Sequence, residues 1–247
     1  MATVRIGATA DLHFGRHPPE FYPPLFTEAN QRADVLVICG DLTDHGRVEE
    51  AQGLARIISQ ASRVPVVCVL GNHDFESAQV DAVRQALGDA GVHILDGDGI
   101  ELLGVGFAGV KGFCGGFGPR ALGPWGEPII KAFVQETLAE ALKLETALAR
   151  LRSTTRVAVL HYSPVAATVE GEPLEIYPFL GSSRLEEPLI RYGVAAVLHG
   201  HAHHGQFEGR TSAGAPVFNV SLSLLQHATP PRLLHVFTVD TDAGHGT

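Results

Sequence analysis

Five apolar runs rich in β-branched residues each stop abruptly at glycine, aspartate, asparagine or histidine: VRIGATA (4–10), DVLVIC (34–39), VPVVCVL (64–70), RVAVLH (156–161) and VAAVLH (194–199). Continuous rather than alternating apolarity predicts strands buried on both faces. Helical spacing from Val48 to Ala61 and from Ala78 to Leu87 separates the first three runs, so the early chain reads βαβαβ with right-handed crossovers. GIELLGVGF (99–107), APVFNVS (215–221) and LLHVFTV (233–239) follow glycine turns without intervening helices, which predicts hairpin-type antiparallel pairs. The sum is a layered α/β architecture with a mixed sheet or a pair of sheets.

With 247 residues, 45% apolar and 18% charged, the chain is long enough for a full core, and residues 1–247 are expected to form one domain. The 28 glycines and 15 prolines show no period, which excludes collagen-like and low-complexity classes. A net charge of -9 without a basic run argues against long nucleic acid as a partner. Cys39, Cys68 and Cys114 are odd in number and widely spaced, so they read as core thiols in a reducing, cytoplasmic setting rather than as a disulfide framework. Neither a secretion signal nor a membrane-spanning stretch is apparent.

Residues 108–126 are rich in glycine and proline with scattered aromatics, and read as an irregular insertion. It is either a surface loop or a lid or substrate wall carrying Phe113, Phe117 and Trp125, with a subunit contact as a third use. A long amphipathic helix over 129–152 follows, expected to pack on the domain, with self-association into a homo-oligomer left open. A second irregular stretch, 163–182, leads to Ser183-Arg-Leu-Glu186, a capping-box pattern expected to open a helix.

The runs end in Asp11-Leu-His13, Gly40-Asp41-Leu-Thr-Asp44, Gly71-Asn72-His73-Asp74, His161 and Gly200-His201-Ala-His203. Strand ends of an open α/β sheet converge on one edge, so five donor sets arriving there point to a polynuclear metal centre. Cations repay the desolvation of so many carboxylates and imidazoles. Carboxylate and imidazole without thiolate suit Mn, Fe or Zn. Two such ions about 3.5–4 Å apart activate water and polarise a phosphoryl group. Gly40, Gly71 and Gly200 fit beside such a cluster because the backbone there has little room for a Cβ.

The ordered set D-x-H, G-D-x-x-D, G-N-H-D, a lone histidine and G-H-x-H resembles the calcineurin-like metallophosphoesterase superfamily, from Asp11 to His203. The resemblance implies an α/β/β/α sandwich of mixed sheets with helices on the outer faces and the metal site at the C-terminal strand ends. It further implies two divalent or mixed-valence transition-metal ions. Asp11, His13, Asp41 and His203 would hold one, and Asp41, Asn72, His161 and His201 the other, with Asp41 as the bridge. His73 would contact the phosphoryl oxygen or protonate the leaving oxygen, and Asp44 would orient and charge-stabilise His73.

His45-Gly46 stands where protein Ser/Thr phosphatases of this superfamily carry Arg-Gly, which disfavours that activity. The G-D-L-T-D-x-G and G-N-H-D blocks look more like the bacterial cyclic-nucleotide and glycerophosphodiester phosphodiesterase branch. The expected substrate is therefore a small phosphate ester, leaning to diesters. Its rivals are a phosphomonoesterase or nuclease of the same superfamily, and a non-catalytic interaction module. Among the other histidines, His199 reads as buried and hydrogen-bonded. His93, His227, His235 and His245 read as surface or packing residues, and His45 and His204 adjoin the proposed ligands without a settled role.

Overall fold

Alternation inside each apolar run sets the layers of the computed structural model, which describes residues 2–241; His245 lies outside them. In β2 (Val35–Cys39), Leu36 and Ile38 join one core cluster while Val35, Val37 and Cys39 join another, and all five are fully buried. One face meets helices and the other meets a second sheet, which is why the run is apolar throughout.

The strands β1 (Ala2–Thr9), β2, β3 (Val66–Val69) and β4 (His93–Ile94) are parallel neighbours in that order. The crossovers α1 (Pro23–Arg32), α2 (Val48–Ala61) and α3 (Val80–Asp89) cover their outer face, burying Phe26, Leu54, Ile58 and Leu87 against Leu36 and Ile38. The second sheet runs β5 (Asp98–Leu102), β6 (Val105–Gly109), β7 (Thr155–Val159), β8 (Ala196–His199), β10 (Pro216–Asn219), β9 (Glu208–Arg210), with β6, β7, β8 and β10 parallel and antiparallel strands at both edges. Its outer face is covered by α4 (Pro128–Arg150) and, beyond the single turn α5 (Tyr177–Leu180), by α6 (Glu186–Tyr192). A short α7 (Leu222–His227) follows β10, and β11 (His235–Thr241) returns to the first sheet antiparallel to β1. Ile6, Val37 and Val67 from one sheet meet Phe107, Val157 and Leu198 from the other, giving the α/β/β/α sandwich. Among the described residues no helix is long and apolar enough to cross a membrane.

Several local expectations shift. Residues 215–221 do not pair with 233–239: β10 lies parallel to β8 and antiparallel to the short β9, while β11 pairs with β1. The Ser183–Glu186 capping box does not form, because Ser182 is the capping residue, its Oγ accepting from Arg184 N–H, and a 3-10 turn over Ser183–Leu185 precedes α6. The Glu186 carboxylate instead accepts from Ser212 N–H. The 108–126 segment is irregular beyond the end of β6 apart from one 3-10 turn, yet it is tied down: Gly115 and Gly116 N–H groups donate to the Pro178 and Gly181 carbonyls.

At the start of β11, the His235 ring packs against Phe207, Phe218 and Phe237, and its buried Nε2 has no hydrogen-bond partner. Burial, then the nearby Arg232 guanidinium, pushes its pKa from 6.5 down to about 4. Between those two values the unfolded chain binds a proton at this position that the folded chain does not, so stability falls as pH drops through the window. His235→Phe should flatten that part of the curve in urea unfolding between pH 7 and about pH 4.5. Parallel curves for the two proteins would contradict this.

Candidate metal centre

The edge where β1, β2, β3, β7 and β8 end is laced together by main-chain bonds from both sheets. Asp11 N–H donates to the Gly40 carbonyl (3.0 Å), His13 N–H to the Asp41 carbonyl (2.9 Å) and Gly200 N–H to the His161 carbonyl (3.2 Å). Side chains extend the lacing: the Asp11 carboxylate accepts from His201 N–H, and Asp41 Oδ1 accepts from His73 N–H. Asp11, His13, Asp41 and His201 have φ of 57°, 44°, 49° and 69°, four of the six non-glycine residues in the left-handed region among those described. Such conformations cost about 1–3 kcal/mol each and persist where surrounding contacts over-determine them, characteristically at functional sites. Glycine is required alongside: a Cβ at Gly71 would stand 2.1 Å from Asp41 Oδ1, and one at Gly40 2.4 Å from the His161 ring.

The expected donors come together in overlapping groups. Asp11, His13 and His203 form one, Asp41, His161 and His201 a second, and His13, Asp41 and His73 a third, with the ligand atoms of each group within 4.8 Å of one another. Asn72 Oδ1 lies 2.8 Å from His161 Nε2. Main-chain carbonyls fix the ring orientations: His161 Nδ1–H donates to the Cys39 carbonyl (2.9 Å) and His201 Nε2–H to the Phe179 carbonyl (3.1 Å). Each bond leaves the other ring nitrogen with a free lone pair, as metal-binding imidazoles require. His161 Nε2 and Asn72 Oδ1 are then two acceptors facing each other with no proton to share, and a cation between them satisfies both. His13, 4% exposed, has no hydrogen-bond partner on either ring nitrogen. These observations fit a cationic occupant.

Electrostatics agree. Burial, then the charges of Asp11 and Asp74, pushes the Asp41 carboxyl well above its usual range. Burial also presses on Asp11, but the His203 imidazole, 3.7 Å away, and the other neighbouring imidazoles outweigh it and hold the carboxyl low. Burial drives His161 well below 6.5, with the His201 charge adding to it, and drives His13 down to about 4. The result is neutral imidazoles at His13, His161 and His201 beside crowded carboxylates, which suits cation binding, while the Asp11 carboxylate raises His203.

Around the donors, the structure revises one role and adds three residues. His73 is oriented by Asp44, but through the main chain: its Nδ1–H donates to the Asp44 carbonyl oxygen at 2.7 Å. The Asp44 carboxylate is turned to Arg16 (2.7 Å) and His13 (3.4 Å) instead, and the carboxylate beside the His73 ring is that of Glu76, 3.6 Å away. Arg16 and Glu76 fall outside the motif positions, so ligand spacing gave no signal for them. Asp74, within a motif but without an assigned role, is fully buried and accepts from the Leu42, Thr43 and Gly71 N–H groups and from Thr43 Oγ. It is a loop clamp between β2 and β3. His45 is half-exposed within 3.5 Å of Asp44, and His204 is exposed with its N–H on Glu172. His199 is buried, bonded to the Gly200 carbonyl and Thr168 Oγ.

Residues 4–205 match the calcineurin-like phosphoesterase family. The chain belongs to that family. As a calcineurin-like phosphoesterase it is a metal-dependent phosphoester hydrolase. Its fold is shared with the phosphopantetheinyl hydrolase of Mycobacterium tuberculosis, at 17% identity and TM-score 0.64 over 98% of each chain. It is also shared with a protein of Thermus thermophilus, at 15% identity and TM-score 0.59 over 96% of this chain and 99% of that one. A search of curated proteins by sequence finds no match.

Binding that depends on the folded donor set stabilises the native state, by about 2.7 kcal/mol at a hundredfold excess over Kd. For a chain of this size that is a rise in Tm of about 5–10 °C. Differential scanning fluorimetry of chelator-treated protein should show this on adding Mn²⁺, and Asp41→Asn should abolish it. An unchanged Tm in the wild type would contradict the ligand assignment.

Proposed function

We propose that this phosphoesterase hydrolyses small-molecule phosphate esters, preferentially diesters, at a pair of transition-metal ions held by Asp11, His13, Asp41, Asn72, His161, His201 and His203. The observation that carries this reading is the placement of Asp41: Oδ1 lies 3.4 Å from His161 Nε2, and Oδ2 lies 3.9 Å from His13 Nε2. The two oxygens of one carboxylate thus face the two ligand sets, as a bridge requires. A bound metal pair supplies water activation and polarisation of the phosphoryl group.

The protein's own groups do the rest. With Nδ1–H committed to the Asp44 carbonyl, His73 presents Nε2 for proton delivery to the departing alkoxide. Arg16, beside Asp11, His13 and His203 in a cleft of about 210 Å³, places a guanidinium where an anionic ester enters. Support for diesters comes from the phosphodiesterase-like motif blocks and from His45 in place of a phosphate-gripping arginine. Buried free thiols at Cys39, Cys68 and Cys114 suit a reducing cytoplasm.

With Mn²⁺-loaded protein, bis(p-nitrophenyl) phosphate should turn over faster than p-nitrophenyl phosphate. His73→Ala should retain metal while kcat falls about 10²–10⁴-fold. Turnover of neither ester would overturn the proposal, and a preference for the monoester would overturn its diester part.

A further inference from the structure

The insertion at 108–126 and the stretch at 163–183 together build a groove of about 600 Å³ that the reaction just described does not use. Its walls are Phe117, Trp125, Phe133, Leu174, Tyr177 and Phe179, and Arg120 is the one charged side chain lining it. Three of these side chains face water: Trp125 is 63% exposed, Leu174 74% and Phe179 55%. A contiguous exposed apolar surface of this kind marks a binding site, and the volume is that of a small-ligand cleft. The walls are held in place by main-chain bonds, Gly115 to Pro178, Gly116 to Gly181 and Ser183 to Gly116, so the concavity is pre-formed.

Two contacts connect the groove to the metal centre. The carbonyl of Phe179 accepts from His201 Nε2–H at 3.1 Å. Phe117 and Tyr177 pack against a small core of Val169, Leu180 and Ala202, and Ala202 lies in the chain between His201 and His203. The groove wall and the ligand loop therefore share one small buried core. Deepening the hydrolase reading, on which it rests, we propose that the groove holds an apolar chain or ring carried by the phosphate ester, so that the substrates are amphiphilic. The anionic head would sit by the metals and the positive rim at Arg120, with the apolar part along Trp125 and Leu174. The rim charge favours an anionic ester over a cationic partner.

Trp125 is the sole tryptophan of the chain, so its emission reports directly on the groove. The test is to titrate Mn²⁺-loaded protein with n-alkylphosphonates from methyl to octyl, below their micelle concentrations, following tryptophan fluorescence with calorimetry in parallel. The expected result is a blue shift that grows with chain length and a Kd that tightens about fourfold for each methylene entering the groove. Leu174→Ser, at an exposed position that the fold does not need, should flatten that dependence, and Trp125→Ser should do so by calorimetry. Octanol should bind much more weakly than octylphosphonate, and removing Mn²⁺ should weaken the phosphonate.

Equal Kd values for methyl- and octylphosphonate would overturn the proposal, as would octylphosphonate binding that ignores the metal. So would a dimer on size-exclusion chromatography that Leu174→Ser dissociates while the chain-length dependence stays flat, which would make the groove a self-association face. Because the titration reads binding, it stands whether or not a nitrophenyl ester turns over. Failure of hydrolysis and failure of the groove are therefore separate results.

Discussion

Two aspartates, Asp11 and Asp41, are buried almost side by side where two sheets end, and the surrounding structure is organised by the cost of putting them there. Removing ionised carboxylates from water is expensive unless charge or hydrogen bonds compensate. Asp11 is compensated by His203 and by the His201 N–H, whereas Asp41 has the His73 N–H and is left with its carboxyl pushed upward. A cation pair removes this repulsion, so the same feature that burdens the metal-free chain provides its affinity for metal. The left-handed backbone at Asp11, His13, Asp41 and His201 belongs to that arrangement, a costly conformation kept where the surrounding contacts fix it.

Precision then comes from groups that touch no metal. Asp74 spends its oxygens on four donors and thereby fixes the loops carrying Asp41 and Asn72 relative to each other. The Cys39 and Phe179 carbonyls orient His161 and His201, and the Asp44 carbonyl orients His73. Main-chain acceptors do not titrate, so these ring orientations hold across the pH range in which the enzyme stays folded. The packed sandwich behind them, with helices on both outer faces, gives the loops a rigid base.

The layers and donor positions were legible in the sequence because both follow from local pattern. Runs such as 35–39 and 157–160 are apolar on two faces, and the site residues stand at or just beyond their C-terminal ends. What could not be read is what depends on the path of the chain between those runs. Arg16 reaches Asp44 across a loop, Glu76 approaches His73 from a turn, and β10 chooses β8 as neighbour through long-range packing. Asp44 is the instructive case: the motif marks the residue, but only the backbone course shows that its carbonyl rather than its carboxylate meets His73. The groove is similar, since glycine-rich composition at 108–126 foretells irregularity but not the bonds that hold it against 178–183.

These features describe an enzyme whose candidate reaction centre is built at strand ends. In the proposed reading Asp41 bridges two ions. Anomalous diffraction at the manganese edge, from crystals grown with Mn²⁺, addresses it most directly. The expected result is two peaks on either side of the Asp41 carboxylate, one near Asp11, His13 and His203 and one near Asn72, His161 and His201. Absence of peaks there, or ions held elsewhere with Asp41 touching neither, would contradict it.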